Sequence, residues 1–128
     1  MRLLLDTHAL IWWLAGDAAL SVAARTAITD ESSEIFVSAA SAWEITTKYR
    51  IGKLDQAAVL ASDIAGAVAQ QGFQELPISL RHAQIAGSLP GPHRDPFDRM
   101  LIAQSISETM TLVSQEKLFA PYGVQLLW

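Results

Sequence analysis

The most constraining feature of this sequence is an uninterrupted apolar segment near the N-terminus, Leu3-Leu4-Leu5, which ends abruptly at Asp6. A strand with one face in water alternates apolar and polar residues, whereas a strand covered on both faces is apolar throughout. We therefore predict a buried strand over residues 2–6. Strands of this kind belong to parallel sheets, in which the carboxyl ends of the strands face the ligand crevice. Asp6 would lie at that edge.

Strand-like and helix-like segments alternate along the rest of the chain. Further strands are predicted at residues 34–38, 73–76, 111–114 and 124–127, and helices at residues 9–14, 21–30, 39–50, 57–71 and 96–108. A short helix that Ser79 can cap is predicted to contain Ala83, Ile85 and Ala86. This order favours right-handed crossovers and a mainly parallel sheet of four to five strands covered on both faces. A chain of 128 residues matches a single domain, so we expect one α/β domain over residues 1–128.

Four acidic residues stand out: Asp6 after the first predicted strand, Glu44 on the helix after the second, Asp98 at the helix start before the fourth, and Glu116 after the fourth. Carboxylates gathered from remote parts of a chain repel one another, so a fold that clusters them usually holds a cation. Hard oxygen ligands suit Mg²⁺ or Mn²⁺. Such an ion can activate water for attack on a phosphodiester.

Each of these acids also has an ordinary structural interpretation. Asp6 can cap the helix that follows it, and Glu116 can be an exposed acid beside Lys117. Glu44 can form a capping box with Ser41, unless its helix begins earlier. The metal hypothesis therefore depends on the shared location of the acids at one sheet edge.

The acids Asp95 and Asp98 lie on either side of a predicted helix start. Asp95 fits the N-cap, Pro96 fits the first helical position, and Asp98 falls in the first turn. We predict that Asp98 is the metal ligand because Asp6 and Glu44 match it from other strand ends. Asp95 is predicted to cap the helix or to support the site.

Composition excludes several other kinds of site. The chain has no cysteine, no pair of histidines at helical spacing and no glycine-rich phosphate loop, which leaves zinc hydrolysis, cysteine nucleophiles and nucleotide loops without support. A net charge of −4 argues against a general nucleic-acid coating protein but allows a local contact. Asp6 and His8 interrupt the N-terminal apolar run before a signal-peptide core forms, and we expect a cytoplasmic protein without a membrane segment.

Several segments together resemble PIN-domain proteins, and more narrowly the VapC-type toxins of bacterial toxin–antitoxin pairs. They are Leu4-Leu5-Asp6-Thr7-His8-Ala9-Leu10, Ser38-Ala39-Ala40-Ser41-Ala42-Trp43-Glu44-Ile45, Gly52-Lys53-Leu54, His93-Arg94-Asp95-Pro96-Phe97-Asp98-Arg99 and Leu112-Val113-Ser114. The resemblance covers essentially the whole chain. It implies a PIN-like three-layer α/β/α sandwich, a Mg²⁺- or Mn²⁺-dependent endoribonuclease and a VapB-type antitoxin that inhibits it.

The resemblance also assigns individual residues. It implies that Asp6, Glu44 and Asp98 are the first three acids of the family site, with Thr7 as a supporting hydroxyl. The fourth acid is usually an aspartate after the fourth strand, where this chain has Glu116. That departure lengthens the side chain by one methylene, so a second metal position stays open.

A catalytic hypothesis follows from these assignments. Asp6 and Asp98 would bind one ion, Glu44 would bind it directly or through water, and the activated water would attack RNA. The cations expected to contact phosphate near the site are Arg94, Arg99, Lys48 and Lys117. The same cations can instead be ordinary solvated charges.

Two rival interpretations come from different classes of protein. Asp6 could be the nucleophile of a phosphotransferase, although His8 stands where such families place a second aspartate. Alternatively, the chain could be an interaction module that uses the apolar helix around Trp12 and Trp13, with inert acids. These tryptophans could also form a homodimer, which we expect in addition to antitoxin binding.

Overall fold

The computed structural model describes residues 1–128 and contains one five-stranded sheet. The strand order is β3-β2-β1-β4-β5, and every neighbouring pair is parallel. The strands are β1 Arg2–Leu5, β2 Glu34–Ser38, β3 Gln74–Leu76, β4 Thr111–Val113 and β5 Leu126–Leu127. The predicted parallel α/β fold is confirmed, and the central position of β1 explains why its leucines are fully buried.

Seven α-helices connect and cover these strands. They are α1 Thr7–Ala15, α2 Val22–Thr29, α3 Ala39–Arg50, α4 Ala58–Ser62, α5 Ile64–Gln70, α6 Leu80–Ser88 and α7 Pro96–Glu108, with 3₁₀ helices at Asp55–Ala57 and Lys117–Tyr122. None of them combines the length and the apolar character needed to cross a bilayer.

The single helix predicted over residues 57–71 is wrong, because Asp63 divides it. Asp63 has φ −157° and ψ 79°, outside the helical region, and its carboxylate accepts the N–H of Gly66 at 2.9 Å. A side-chain oxygen that caps a new helix in this way competes with continuation of the preceding one. The alanine-rich periodicity on both sides concealed the break.

The two faces of the sheet pack against different helices. Leu3 and Leu5 belong to a core cluster on one face with residues of α1, α2 and α5. Leu4 points to the other face, where it joins Leu101 and Ile102 of α7. This alternation along one strand produces the expected three-layer sandwich.

Two helices begin directly where a strand ends, and these junctions position the candidate site. After β1, the Asp6 carboxylate accepts the N–H of Ala9 and caps α1. After β2, the Ser38 hydroxyl accepts the N–H of Ala40 and caps α3. Because β1 and β2 are adjacent and parallel, the first turns of α1 and α3 leave the same edge of the sheet.

Candidate functional site

Asp6 is a buried carboxylate at the carboxyl end of the central strand. Its Oδ1 accepts the N–H of Ala9 at 2.7 Å, and its side chain is near the Ser114 hydroxyl. Burial raises the pKa of Asp6, and the negative charge of Glu44 adds to the rise, whereas Ser114, Ala9 and His8 oppose it. Asp6 therefore both caps α1 and carries a charge that burial disfavours.

Glu44 lies in the second turn of α3 and is almost fully buried. Its Oε1 accepts the Thr7 hydroxyl at 2.6 Å, and its Oε2 forms an ion pair with Lys48. Because α3 begins at Ala39, the alternative in which Glu44 forms a capping box with Ser41 is wrong. Glu44 has no helix-capping role that would explain a buried acid at this position.

Lys48 balances part of the local negative charge. Burial would lower its pKa, but the hydrogen bond and charge of Glu44, together with Asp95 and Asp98, raise it instead. The ammonium group therefore lies in a field set by several acids. In this structure it is paired with Glu44 rather than free to bind a phosphate.

Asp98 lies in the first turn of α7, as predicted. Burial raises the pKa of Asp98 to about 6, and the charges of Asp95 and Glu44 contribute, while His93 opposes the rise. His93 Nε2 lies 2.9 Å from Asp98 Oδ2. The predicted cap is also confirmed, since Asp95 Oδ1 accepts the N–H groups of Phe97 at 2.9 Å and Asp98 at 3.2 Å.

Asp6, Glu44 and Asp98 thus form one electrostatic group drawn from three separate parts of the chain. Glu44 raises the pKa of both aspartates. Oxygen donors whose charges repel fit a hard divalent cation. However, no three acidic or histidine side chains are positioned to hold an ion in this structure, and Glu44 and Asp98 are turned towards Lys48 and His93. The donor chemistry fits a metal ion, whereas the ligand geometry is not assembled.

Glu116 is not part of this group. It is exposed, and its Oε1 accepts the N–H of Leu118 at 3.1 Å, which caps the 3₁₀ helix Lys117–Tyr122. The residue after β4 that does affect Asp6 is Ser114, whose hydroxyl hydrogen-bonds the Asp6 carboxylate and lowers its pKa.

The predicted phosphate-binding cations have different environments. Arg99 donates to the backbone carbonyls of Ala86 at 3.1 Å, His93 at 3.0 Å and Leu89 at 2.5 Å, so its guanidinium holds the loop before α7. Arg94 and Lys117 are exposed and form no ion pair. Of the four cations, these two are available to a polyanion.

Sequence reasoning missed His93 and Ser114. Ser114 follows β4 as Asp6 follows β1, so a polar residue at a strand end was a usable signal. His93 had no such signal. It lies in an irregular loop, and only the path of that loop brings its ring to Asp98.

A parallel sheet with buried acids at its carboxyl edge is the arrangement of a PIN-type domain. The sequence matches the PIN domain family over residues 3–123, and the chain belongs to that family. No curated protein sequence matches it significantly.

Solved structures share the fold over nearly the whole chain. VapBC2 of Rickettsia felis, bound to a promoter DNA fragment, has a TM-score of 0.71 at 16% identity, covering 98% of this chain and 97% of that one. VapC20 of Mycobacterium tuberculosis, described as a toxin that cleaves the sarcin–ricin loop, has a TM-score of 0.68 at 16% identity, covering 95% of each chain. FitAcB of Neisseria gonorrhoeae has a TM-score of 0.61 at 17% identity, covering 97% of this chain and 95% of that one.

Proposed function

We propose that this protein is a Mg²⁺- or Mn²⁺-dependent endoribonuclease that acts as the toxin of a toxin–antitoxin pair. One observation carries the proposal: Asp6 and Asp98 come from different elements, are both buried enough to have a raised pKa, and both respond to the charge of Glu44. A protein gains no stability from such a group alone, since the buried like charges disfavour one another. A bound divalent cation would remove that penalty.

The residues would divide the work as follows. Asp6 and Asp98 would hold the ion, and Glu44 would bind it directly or through a water molecule. When bound, the ion supplies an activated water and neutralises charge at the phosphodiester. Thr7 fixes the orientation of Glu44 through its 2.6 Å hydrogen bond, and Lys48 offsets the charge of Glu44 when no ion is present.

The fourth acid and the phosphate-binding cations are further proposals about the same site. We retain Glu116 as a fourth acid that would have to leave its capping bond with Leu118 to join the others. Arg94 and Lys117 are the proposed phosphate contacts, because both are exposed and unpaired. The fold shared with VapC20, a toxin that cleaves the sarcin–ricin loop, supports RNA as the substrate.

A groove of about 790 Å³ between α1 and the helices α4 and α5 supports an antitoxin partner. Its lining is mainly apolar and includes Trp12 and Val59, and its only charged residues are Asp17 and Asp63. A segment with apolar side chains and at least one basic side chain complements this surface. We propose that a VapB-type antitoxin occupies it. Val59→Glu should weaken binding of that antitoxin in a pull-down assay.

We also propose that the protein forms a homodimer. Light scattering, which measures the molar mass in solution, tests this proposal.

The central experiment is cleavage of a structured RNA in Mg²⁺ or Mn²⁺. Asp6→Asn and Asp98→Asn are each expected to lower the rate by at least 100-fold, since a metal site stabilises the transition state by roughly several kcal/mol. Asp55→Asn is the matched control, because Asp55 is exposed and forms no ion pair. Undiminished cleavage by both site variants would remove the proposal.

The incompletely assembled ligand set favours one rival, an interaction module with inert acids. The two functions differ in their response to divalent ions. A specific site stabilises the folded state by mass action, so the nuclease should melt at a higher temperature with Mn²⁺ than with EDTA. The interaction module should melt at the same temperature in both, as should Asp98→Asn.

A further inference from the structure

Gln104 is a polar residue buried in an apolar segment of α7. Its side chain is inaccessible to solvent, and the residues before it on the helix, Leu101, Ile102 and Ala103, are buried apolar residues. A buried amide costs stability unless it is hydrogen-bonded, and an apolar residue of similar size would fill the same space. The role of Gln104 must therefore come from its hydrogen bonds.

The Gln104 amide joins α7 to α6 and to the junction of β2 with α3. Its Nε2 donates to the Pro77 carbonyl and to His82 Nδ1, each at 3.3 Å. Both partners act as acceptors here, because His82 Nδ1 also accepts the Ser79 N–H at 3.1 Å. The amide oxygen therefore faces Ser38, whose hydroxyl donates to Oε1 at 2.5 Å.

The Ser38–Gln104 pair lies in the same register as the acids Glu44 and Asp98. Glu44 lies six positions after Ser38, the N-cap of α3, and Asp98 lies six positions before Gln104 on α7. The charge of Glu44 raises the pKa of Asp98, so these two acids also lie near each other. Equal displacements in opposite directions show that α3 and α7 pass each other antiparallel.

Two further pairs follow this antiparallel alignment. The rings of Trp43 on α3 and Phe97 on α7 have centroids 4.9 Å apart, and the charge of Asp95 raises the pKa of Lys48. Ring contacts and charge interactions tolerate small displacements, whereas a hydrogen bond weakens steeply as its geometry is distorted. The buried hydrogen bond to Gln104 is therefore the contact best able to fix the axial alignment of the two helices.

This alignment controls the geometry of the candidate metal site. A slip of α7 along α3 by one residue would move Asp98 relative to Glu44 by about 1.5 Å. Ligands of a metal site must be held within roughly 0.5 Å of their productive positions. Fixing a register is also the best-supported role of a polar residue retained in an apolar core.

We propose that the hydrogen bond between Ser38 and Gln104 sets the register of α3 against α7 and so places Glu44 opposite Asp98. The inference rests on the proposed metal-dependent function and adds Gln104 to that site as a positioning residue. Gln104 acts through the two helices and touches neither ion nor substrate. Its bonds to Pro77 and His82 hold the amide so that its oxygen faces Ser38.

The first test measures the helix register without metal. The chain has no cysteine, so nitroxide labels can be attached at Thr46→Cys on α3 and Ile106→Cys on α7, both exposed positions. Pulsed EPR in EDTA should show that Gln104→Leu shifts the mean label distance by about 1.5 Å. Ser105→Ala is the matched control, because Ser105 is buried on the same helix but donates to the Met110 carbonyl at 2.6 Å. It should leave the distance unchanged.

Substitutions of Ser38 test the other partner of the bond. Ser38→Ala should shift the label distance as Gln104→Leu does, and it supplies a second variant if one of the two fails to fold. Ser38→Thr, which keeps the hydroxyl, should retain the wild-type distance. Because both substitutions remove one bond, the double variant should show no larger shift than either single variant.

The second test measures the dissociation constant of Mn²⁺ by calorimetry on the unlabelled proteins. Gln104→Leu and Ser38→Ala should each raise Kd about 10-fold, the lower end of the range for residues that orient metal ligands. Ser105→Ala should leave Kd unchanged even where it lowers the urea midpoint. In RNA cleavage, Gln104→Leu should lower kcat more than it raises KM, because it displaces metal ligands rather than substrate contacts.

Several results would overturn the inference. They are an unchanged label distance in both Gln104→Leu and Ser38→Ala, a shifted distance with an unchanged Kd for Mn²⁺, and additive shifts in the double variant. An equal loss of Mn²⁺ affinity in Ser105→Ala would assign the effect to general destabilisation. Wild-type protein that binds no Mn²⁺ would refute the metal-dependent nuclease, and the label distances would still decide whether Gln104 sets the register.

Discussion

The Thr7 hydroxyl donates a 2.6 Å hydrogen bond to Glu44 Oε1, and both side chains are buried. The two residues are 37 positions apart in sequence. Thr7 lies in the first turn of α1, and Glu44 lies in the second turn of α3. This bond joins the β1 and β2 crossovers at the sheet edge. It also explains how a buried glutamate is held in place when no ion is bound.

Thr7→Val is expected to destabilise the fold and to slow cleavage. Valine keeps the shape of threonine but leaves a buried carboxylate oxygen without its donor, which costs about 1–3 kcal/mol. Urea denaturation measures the loss, and Thr7→Ser, which keeps the hydroxyl, is the control. Equal stability of the valine and serine variants would show that the hydrogen bond contributes little.

Asp98→Asn is expected to stabilise the metal-free protein at neutral pH while abolishing cleavage. The pKa of Asp98 is raised to about 6 from 3.8, so the folded state binds this proton more tightly than the unfolded state does. The resulting stability is fully present below pH 3.8 and is lost as the pH rises through about 6. After allowance for partial solvent exposure, the loss should be about 1–2 kcal/mol.

The measurement is chemical denaturation in EDTA between pH 4 and 8. Wild-type protein should lose stability across that range by more than Asp98→Asn, and Asp55→Asn should behave as wild type. Saturating Mn²⁺ should remove most of the difference at pH 7.5. Parallel pH profiles for wild type and Asp98→Asn would contradict the assigned cause.

Asp95 has a capping role and an electrostatic role that two substitutions separate. Asp95→Ala removes the acceptor for the Phe97 and Asp98 N–H groups and should cost about 0.5–2 kcal/mol. Asp95→Asn keeps an acceptor but removes a charge that raises the pKa of Asp98. We therefore expect it to retain stability and to shift the pH dependence to lower pH. If the pH at which half of the stability change occurs were the same in Asp95→Asn and wild type, the charge of Asp95 would have no effect on Asp98.

Arg99 and Arg94 should respond oppositely to substitution. Arg99→Lys should destabilise the loop before α7, because one ammonium cannot replace a guanidinium fork that donates to three carbonyls. Hydrogen exchange over residues 89–95 measures this. Arg94→Gln should leave stability unchanged. It should reduce the slope of log K for RNA binding against log salt concentration by about one, the value for loss of one phosphate contact. A stable Arg99→Lys with a reduced salt slope would reverse these roles.

The local features of the site were predictable from short segments. Asp95, Pro96 and Asp98 define a helix start because capping and the fixed φ of proline act within a few residues. The buried β1 followed from its composition, and the parallel sheet from the alternation of elements. The break at Asp63 was missed because periodicity is the same on both sides of it.

The sequence by itself determined the strand–helix order, the positions of Asp6, Glu44 and Asp98 near element ends, and the family to which the chain belongs. Only the tertiary structure decided which partner each charged group meets: Glu44 with Thr7 and Lys48, Asp98 with His93, and Arg99 with three carbonyls. The physical reason is range. Strand burial and helix capping are set by near neighbours in sequence, whereas the pKa of a carboxylate depends on desolvation and on charges that loops bring from remote positions.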